Sequence, residues 1–265
     1  MSGTHNNQII WLTGASSGIG EAVTYAFAKE GVHVIISARR KAELERVKAN
    51  CPDPSKVTIV PLDVADYKSI EGKVKPVIEK LGRIDILFNN AGISQRALAK
   101  DTKMEVYEKI MNVNFMGTVA MTLAALPFMI KQKSGHIAVI SSLTGKFSTP
   151  LRTGYSASKH ALHGFFDGLR SEVWKDNIKV TLICPGFVKT HVSENALKGD
   201  GVPQKIVDDA IAHGLAPDYV AEKILKEMKS GKEEIYIAGK EMMGVYLKRF
   251  LPGVFSKYIR SAKVT

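Results

Sequence analysis

Seven short apolar runs, separated by segments long enough for helices, constrain this chain more than any other feature. Ile9 to Leu12, Val32 to Ser37, Val57 to Leu62, Ile84 to Phe88, Gly135 to Ser141, Ile178 to Cys184 and Glu234 to Ala238 read as strands. They are rich in β-branched residues and apolar throughout, as strands are when both sheet faces are covered. Between them, Glu21 to Glu30 places Val23, Ala26 and Phe27 on one helical face and stops at Gly31. Lys41 to Asn50 and Tyr67 to Leu81 follow as helices, the second closed by Gly82. Met104 to Lys133 reads as one or two helices split near Asn112 to Asn114, and Gly154 to Lys175 as one long helix. Helical connections of this length join parallel strands by right-handed crossovers. The expectation is an α/β fold, a doubly wound parallel sheet of seven strands with helices on both faces. No linker divides residues 1–265, so one domain is expected, with its ligand at the carboxyl ends of the strands.

Composition narrows the function classes. At 265 residues, 45% hydrophobic and 24% charged, the chain is ordinary globular protein with material for one large core. A net charge of +11 suits an anionic ligand, nucleic acid, an anionic membrane surface or plain solubility. No nucleic-acid module accompanies that charge, so nucleic acid is not an expected partner. Cys51 and Cys184 stand in no metal or redox spacing, which fits a reducing compartment. The residues before Ile9 are polar and no run of about 20 apolar residues follows, so a soluble cytoplasmic protein is expected. His5, His33, His136, His160, His163, His191 and His213 show no metal-ligand spacing, and no metal is expected.

The first strand runs into Thr13-Gly14-Ala15-Ser16-Ser17-Gly18-Ile19-Gly20, which opens the first helix. Such a loop lets backbone approach a pyrophosphate closely, and the helix N-terminus offers free N–H groups to it. The spacing is Gly-xxx-Gly-x-Gly rather than the commoner G-x-G-x-x-G. Nucleotide folds that bind NAD place an acid after the second strand to hold the ribose 2′-hydroxyl. Here that strand ends Ser37-Ala38-Arg39-Arg40, where guanidinium groups suit a 2′-phosphate. Solvated charges at a helix start are the alternative, one that the helix dipole disfavours. Asp63, with Val64 beyond the third strand, is placed for the adenine amino group or for a helix N-cap.

Tyr155 and Lys159 lie four apart near the start of a helix, hence on one face. A lysine cation beside a phenol favours the phenolate, so Tyr155 is a candidate acid/base. Ser142, just after the fifth strand, lies at the same sheet edge and is a candidate donor to a reacting oxygen.

Taken together, Thr13-Gly14-x-x-x-Gly18-Ile19-Gly20, Asn89-Asn90-Ala91-Gly92, Asn114, Ser142, Tyr155-x-x-x-Lys159 and Pro185-Gly186 stand in the order of the short-chain dehydrogenase/reductase family. The chain resembles its shorter main branch, densely from Gln8 to Thr190 and loosely beyond. The resemblance implies an oxidoreductase moving hydride between a nicotinamide and a carbonyl or secondary alcohol. It implies Tyr155 as acid/base, Lys159 on the nicotinamide ribose, Ser142 on the substrate oxygen and Asn114 on a relay water. An Asn114 that stabilises a helix kink is the alternative. Asn90, Ala91 and Gly92 resemble the loop beside the adenosine ribose; Pro185, Gly186, Val188 and Thr190 resemble the segment holding the carboxamide. Arg39 stands where NADP-preferring members carry a base. Ser17 departs from relatives that carry another base there, which leaves NAD(H) open beside the expected NADP(H). Ser37 to Val47 and the Phe250-Leu251-Pro252-Gly253 tail resemble the subgroup called dehydrogenase/reductase member seven and its B relative. Several of those carry a membrane anchor before the first strand; none is expected here. A catalytically silent nucleotide sensor or scaffold is the rival reading, and the intact Asn114, Ser142, Tyr155 and Lys159 argue against it.

Residues 191–214, with Gly199-Asp200-Gly201, read as a mobile lid, poorly ordered without cofactor. Leu143, Phe147, Leu151 and Phe187 are candidate apolar walls for an apolar substrate, or core. Residues 240–265 interleave Lys240, Lys248, Arg249, Lys257, Arg260 and Lys263 with apolar residues, against the single acid Glu241. A helix closing the pocket, or a contact in a homodimer or homotetramer, ranks above peripheral membrane contact for this tail.

Overall fold

In the computed structural model, residues 8–262 are described. Seven parallel strands form one sheet in the order β3-β2-β1-β4-β5-β6-β7. They are β1 (Ile9–Thr13), β2 (His33–Ser37), β3 (Val57–Ile59), β4 (Ile86–Asn89), β5 (Gly135–Ile140), β6 (Ile178–Pro185) and β7 (Glu234–Ile237). The chain winds outward from β1 to β3 and then returns to place β4 on the other side of β1. Ile10 therefore pairs with Val34 on one flank and Ile86 on the other. This reversal opens a crevice at the carboxyl ends of β1 and β4, the usual ligand position in doubly wound sheets.

The strands are apolar throughout because successive side chains enter two different cores. On one face Ile10, Leu12, Val34, Ile36 and Phe88 pack with α1 (Gly18–Lys29) and, further along the chain, α8 (Pro217–Lys229). Phe27 of α1 meets Phe88 edge-on at 6.4 Å. On the other face Trp11, Ile35, Leu87, Ile137 and Val139 meet three helices. These are α3 (Ile70–Leu81), α5 (Gly117–Gln132) and α6 (Thr153–Val173). Trp11 is fully buried, and its indole N–H donates to Ser37 Oγ at 2.9 Å. Each large side chain buried in this way contributes on the order of 2 kcal/mol.

The remaining helices are α2 (Lys41–Ala49), α4 (Met104–Met111), α7 (Asp209–Ala212), α9 (Met243–Phe250) and α10 (Pro252–Ser261). Several boundaries differ from the sequence reading, most of them by one or two residues, and four of the differences shape the architecture. Helix α1 begins at Gly18 rather than Glu21, with Gly18 itself left-handed at the point where the loop turns into the helix. Strand β3 is shorter, although Val60 and Leu62 still donate to Ile36 and Ala38 carbonyls. Residues 67–69 form a 3₁₀ turn ahead of α3. The split near Asn112 to Asn114 is a π-helical turn, Asn112–Met116, joining α4 and α5 without a break. The continuous helix Met104–Gln132 is long and apolar enough to cross a bilayer. Its Val106, Ile110, Met121, Ala125 and Met129 are buried in the protein core, as in a central helix of a globular domain.

Candidate active site

The crevice deepens into a cavity of about 650 Å³. Its wall at β1 is the glycine loop. Gly18 holds φ +59°, a left-handed conformation, and a Cβ there would meet Thr190 Cγ2 at 2.9 Å. A Cβ at Gly20 would overlap the Gly14 carbonyl oxygen, so this third glycine sets how closely α1 approaches the loop. Gly20 is thus a packing residue, whereas Gly14, Ser16, Ser17, Gly18 and Ile19 line the cavity. No side chain caps the start of α1, leaving its first N–H groups directed outward.

Asn90 does more than border the cavity. Its Nδ2 donates to the carbonyls of Thr13 and Gly14 at 3.1 and 3.0 Å, while Asn90 and Ala91 N–H groups donate to Thr13 Oγ1. These bonds clamp the turn after β4 to the glycine loop across the switch point. Ala91, Gly92 and, from the far side, Asp63 and Val64 also face the cavity. Asp63 accepts from the Ala65 N–H at 3.0 Å.

Arg39 and Arg40 are exposed at the cavity rim, and no ion pair engages either among the described residues. Arg46, one helix turn on, differs: it is committed to Glu21 and Glu43, tying α2 to α1. Its pairing with Glu21 holds the Glu21 carboxyl below the ordinary range.

At the other end, Tyr155 and Lys159 project from the first turns of α6 and Ser142 from the end of β5. Ser142 Oγ accepts from the Thr144 N–H and Thr144 hydroxyl at 3.1 and 3.0 Å. With those acceptor positions used, its own O–H is free to donate, and it lines the same cavity as Tyr155. Burial pushes the Tyr155 phenol above its ordinary range; the Ser142 hydrogen bond and the charges of Arg96 and Arg152 oppose that rise. Lys159 Nζ lies 5.7 Å from the Tyr155 ring centroid and donates to the Ile140 carbonyl at 2.8 Å. Burial pushes this ammonium down to about 8. Arg96 and Arg152, two cations the sequence did not single out, thus also act on the phenol.

Those arginines belong to a buried cluster. Asp208 Oδ2 accepts from Arg96 at 2.8 and 2.5 Å and from Arg152 at 3.3 Å. Arg96 also donates to Ser94 Oγ and the Gln95 carbonyl. The cluster joins the loop after β4, the start of α6 and the end of the 191–208 segment. That segment is further tied down by Leu197, which pairs with Ser94 and Arg96 through backbone hydrogen bonds, and by the Lys103 N–H on the Gly199 carbonyl.

Asn114, in the π-helical turn, is fully buried. Its Oδ1 accepts from the Ile93 N–H at 2.8 Å, and its Nδ2 donates to the Ile93 carbonyl and to Ser158 Oγ, both at 2.9 Å. The side chain therefore pins the turn after β4 to α6, the backbone-supporting alternative, and does not line the cavity.

Pro185, Gly186, Val188 and Thr190 complete the wall. Gly186 N–H donates to the Ile237 carbonyl, Phe187 pairs with Leu215, and Phe187 N–H also donates to Glu241 Oε1 at 3.2 Å. Leu143, Phe147 and Phe187 line the cavity; Leu151 does not, being held at φ +66° with its carbonyl accepting from Ala97. Among the described residues no three His, Cys, Asp or Glu side chains are placed to hold a metal; His5 and Lys263 lie outside those residues.

A family model described as short chain dehydrogenase matches residues 8–201. The chain belongs to the short-chain dehydrogenase/reductase family. It is 46% identical to an Anopheles gambiae dehydrogenase/reductase SDR family protein 7-like, covering 94% of this chain and 81% of that protein. It is 41% identical to human dehydrogenase/reductase SDR family member 7, over 93% of this chain and 75% of the relative. Among solved structures, a short-chain dehydrogenase from Streptomyces avermitilis matches with TM-score 0.79 and 28% identity, covering 96% of each chain. ElxO with NADP bound matches with TM-score 0.78 and 28% identity, over 89% of this chain and 98% of that one. A Burkholderia phymatum family member in complex with NAD shares the fold at TM-score 0.81 and 21% identity, over 98% of each chain. This short-chain dehydrogenase/reductase is thus an oxidoreductase by family, and two of its structural neighbours hold NADP or NAD.

Proposed function

We propose that this chain is an NADP(H)-dependent oxidoreductase acting on a carbonyl/secondary-alcohol pair, with Tyr155 as acid/base. One observation carries the reading: a single cavity joins an uncapped helix N-terminus and two unpaired-by-acid arginines at one end to Tyr155, Ser142 and Lys159 at the other. The dinucleotide fits these residues. Its pyrophosphate suits the start of α1, where no side chain caps the first N–H groups. Arg39 and Arg40 suit a 2′-phosphate, and no acid stands at the end of β2 to repel one. Bound there, the nicotinamide supplies or takes up the hydride.

The chain's own residues handle the proton. In reduction, Tyr155 O–H gives its proton to the substrate oxygen, and Ser142 O–H donates a hydrogen bond to the same atom as negative charge develops. In oxidation, Tyr155 as phenolate takes the alcohol proton. Lys159 is placed to hold the ribose hydroxyls, and Asn114 keeps Ile93 and α6 in register beneath it. Leu143, Phe147 and Phe187 favour an apolar substrate.

The test is titration of NADPH and NADH against wild type and Arg39→Ala. NADPH should bind tighter, and Arg39→Ala should weaken it roughly ten- to hundredfold while leaving NADH nearly unchanged. Tyr155→Phe should bind cofactor normally and turn over no carbonyl substrate. Equal loss of both cofactors in Arg39→Ala would end the NADP assignment; binding of neither by wild type would end the oxidoreductase reading.

A further inference from the structure

Helices α9 and α10 are apolar on two sides, and the fold uses only one. Their inner side packs: Gly244 and Phe255 are buried, and Phe255 meets Phe147 at 5.4 Å between ring centroids. On the outer side, Met243, Tyr246 and Phe250 repeat at i, i+3, i+7 along α9; Leu251, Val254 and Tyr258 repeat the same spacing along α10. All six are half exposed or more, from 50% at Tyr246 to 72% at Phe250. Two exposed apolar stripes on consecutive helices exceed what closing a pocket requires.

The charges carried by these two helices are of one sign. Lys248 sits over the inner Phe255 ring, Arg249, Lys257 and Arg260 are exposed, and no Asp or Glu occurs between Met242 and Ala262. The nearest acid, Glu241, is turned inward onto the Phe187 N–H. A second copy of the chain is a poor occupant, because a two-fold contact through this face would set one cluster of cations against an identical one. An anionic bilayer complements both features: aromatic and aliphatic side chains enter the headgroup boundary while lysine and arginine meet lipid phosphates and carboxylates.

We propose that the outer face of α9 and α10 docks this protein peripherally on an anionic lipid surface. The helices that carry this face adjoin the cavity by their inner side, where Phe255 packs on the cavity-lining Phe147.

The full chain is sedimented with vesicles of phosphatidylcholine alone and of phosphatidylcholine with phosphatidylserine, and its self-association is measured by analytical ultracentrifugation without lipid. Wild type should pellet with the serine-containing vesicles far more than with phosphatidylcholine, and added salt should weaken this binding. Arg249→Gln with Lys257→Gln should reduce partitioning roughly thirtyfold, and Phe250→Ser with Val254→Ser at least about tenfold. Both double variants should bind nicotinamide cofactor as wild type does, which shows that they are folded. Failure of wild type to pellet with anionic vesicles overturns the proposal. So does a dimer in lipid-free solution that Phe250→Ser with Val254→Ser dissociates, since that outcome assigns the face to a second copy.

Discussion

Lys159 illustrates how the site sets functional need against stability. Its ammonium is 3% exposed and titrates at about 8 rather than 10.5, because burial disfavours the charged form. Below pH 8 the folded protein carries the whole cost of that buried charge. The cost falls as pH rises from about 8 toward 10.5, because there the unfolded chain still holds a proton that the folded chain has released. Lys159→Met should therefore stabilise the cofactor-free protein at neutral pH, on the order of 2 kcal/mol after loss of the bond to Ile140 is subtracted. The advantage should vanish near pH 10.5, and turnover should be lost at every pH. Chemical denaturation at pH 7 and pH 10.5 measures this; an unstable variant at pH 7 would contradict it. At this scale the sequence placed Tyr155, Lys159 and Ser142 in one cavity through local spacing and strand-end position. It did not reveal Arg96 and Arg152 as the charges facing the phenol. Arg96 finds its partner Asp208 112 residues away, and no local pattern encodes such a pair.

Among the elements, the 191–208 segment depends most on that buried cluster. Arg96→Leu leaves Asp208 with less than its full complement of charge partners in a desolvated position, which typically costs about 3–5 kcal/mol. Hydrogen exchange should rise first across Ser193 to Asp208, ahead of the sheet, and the Tyr155 phenol should shift further upward, slowing alcohol oxidation at neutral pH. Unchanged exchange in that segment would show that its backbone bonds to Ser94, Arg96 and Lys103 suffice. The strands themselves were legible because apolar runs entering two cores leave a continuous signal. The π-helical turn was not: Asn112 to Asn114 gave only a hint of a break, and the extra backbone residue is absorbed by Asn114 bonding to Ile93, a tertiary contact.

For the whole molecule, the cavity draws walls from six strand ends, so a dinucleotide filling it should stabilise the domain as a unit. At a hundredfold excess over its dissociation constant, NADPH should add about 2.7 kcal/mol, raising the melting temperature by roughly 5–10 °C for a domain of this size. NADH at the same concentration should raise it less. Equal shifts would favour dual cofactor use, and the loss of the NADPH advantage in Arg39→Ala is the control. The single domain and its sheet order were readable because alternating strands and helices permit few topologies. The outer face of α9 and α10 needed the structure, since interleaved apolar residues alone do not say which stripe is buried.

The Phe187 N–H that rests on Glu241 carries a consequence for biosynthesis. Every motif by which the family is known lies before residue 202, yet the strap from Pro185 to Thr190 is held by Ile237 and Glu241, contributed much later in the chain. While a nascent chain emerges N-terminus first, β6 remains an open edge until β7 arrives, and the strap is fixed only after Glu241 has left the ribosome. A polypeptide that ends after its last recognisable motif thus has all the chemistry and no finished site; the reaction centre is assembled in one of the last acts of synthesis.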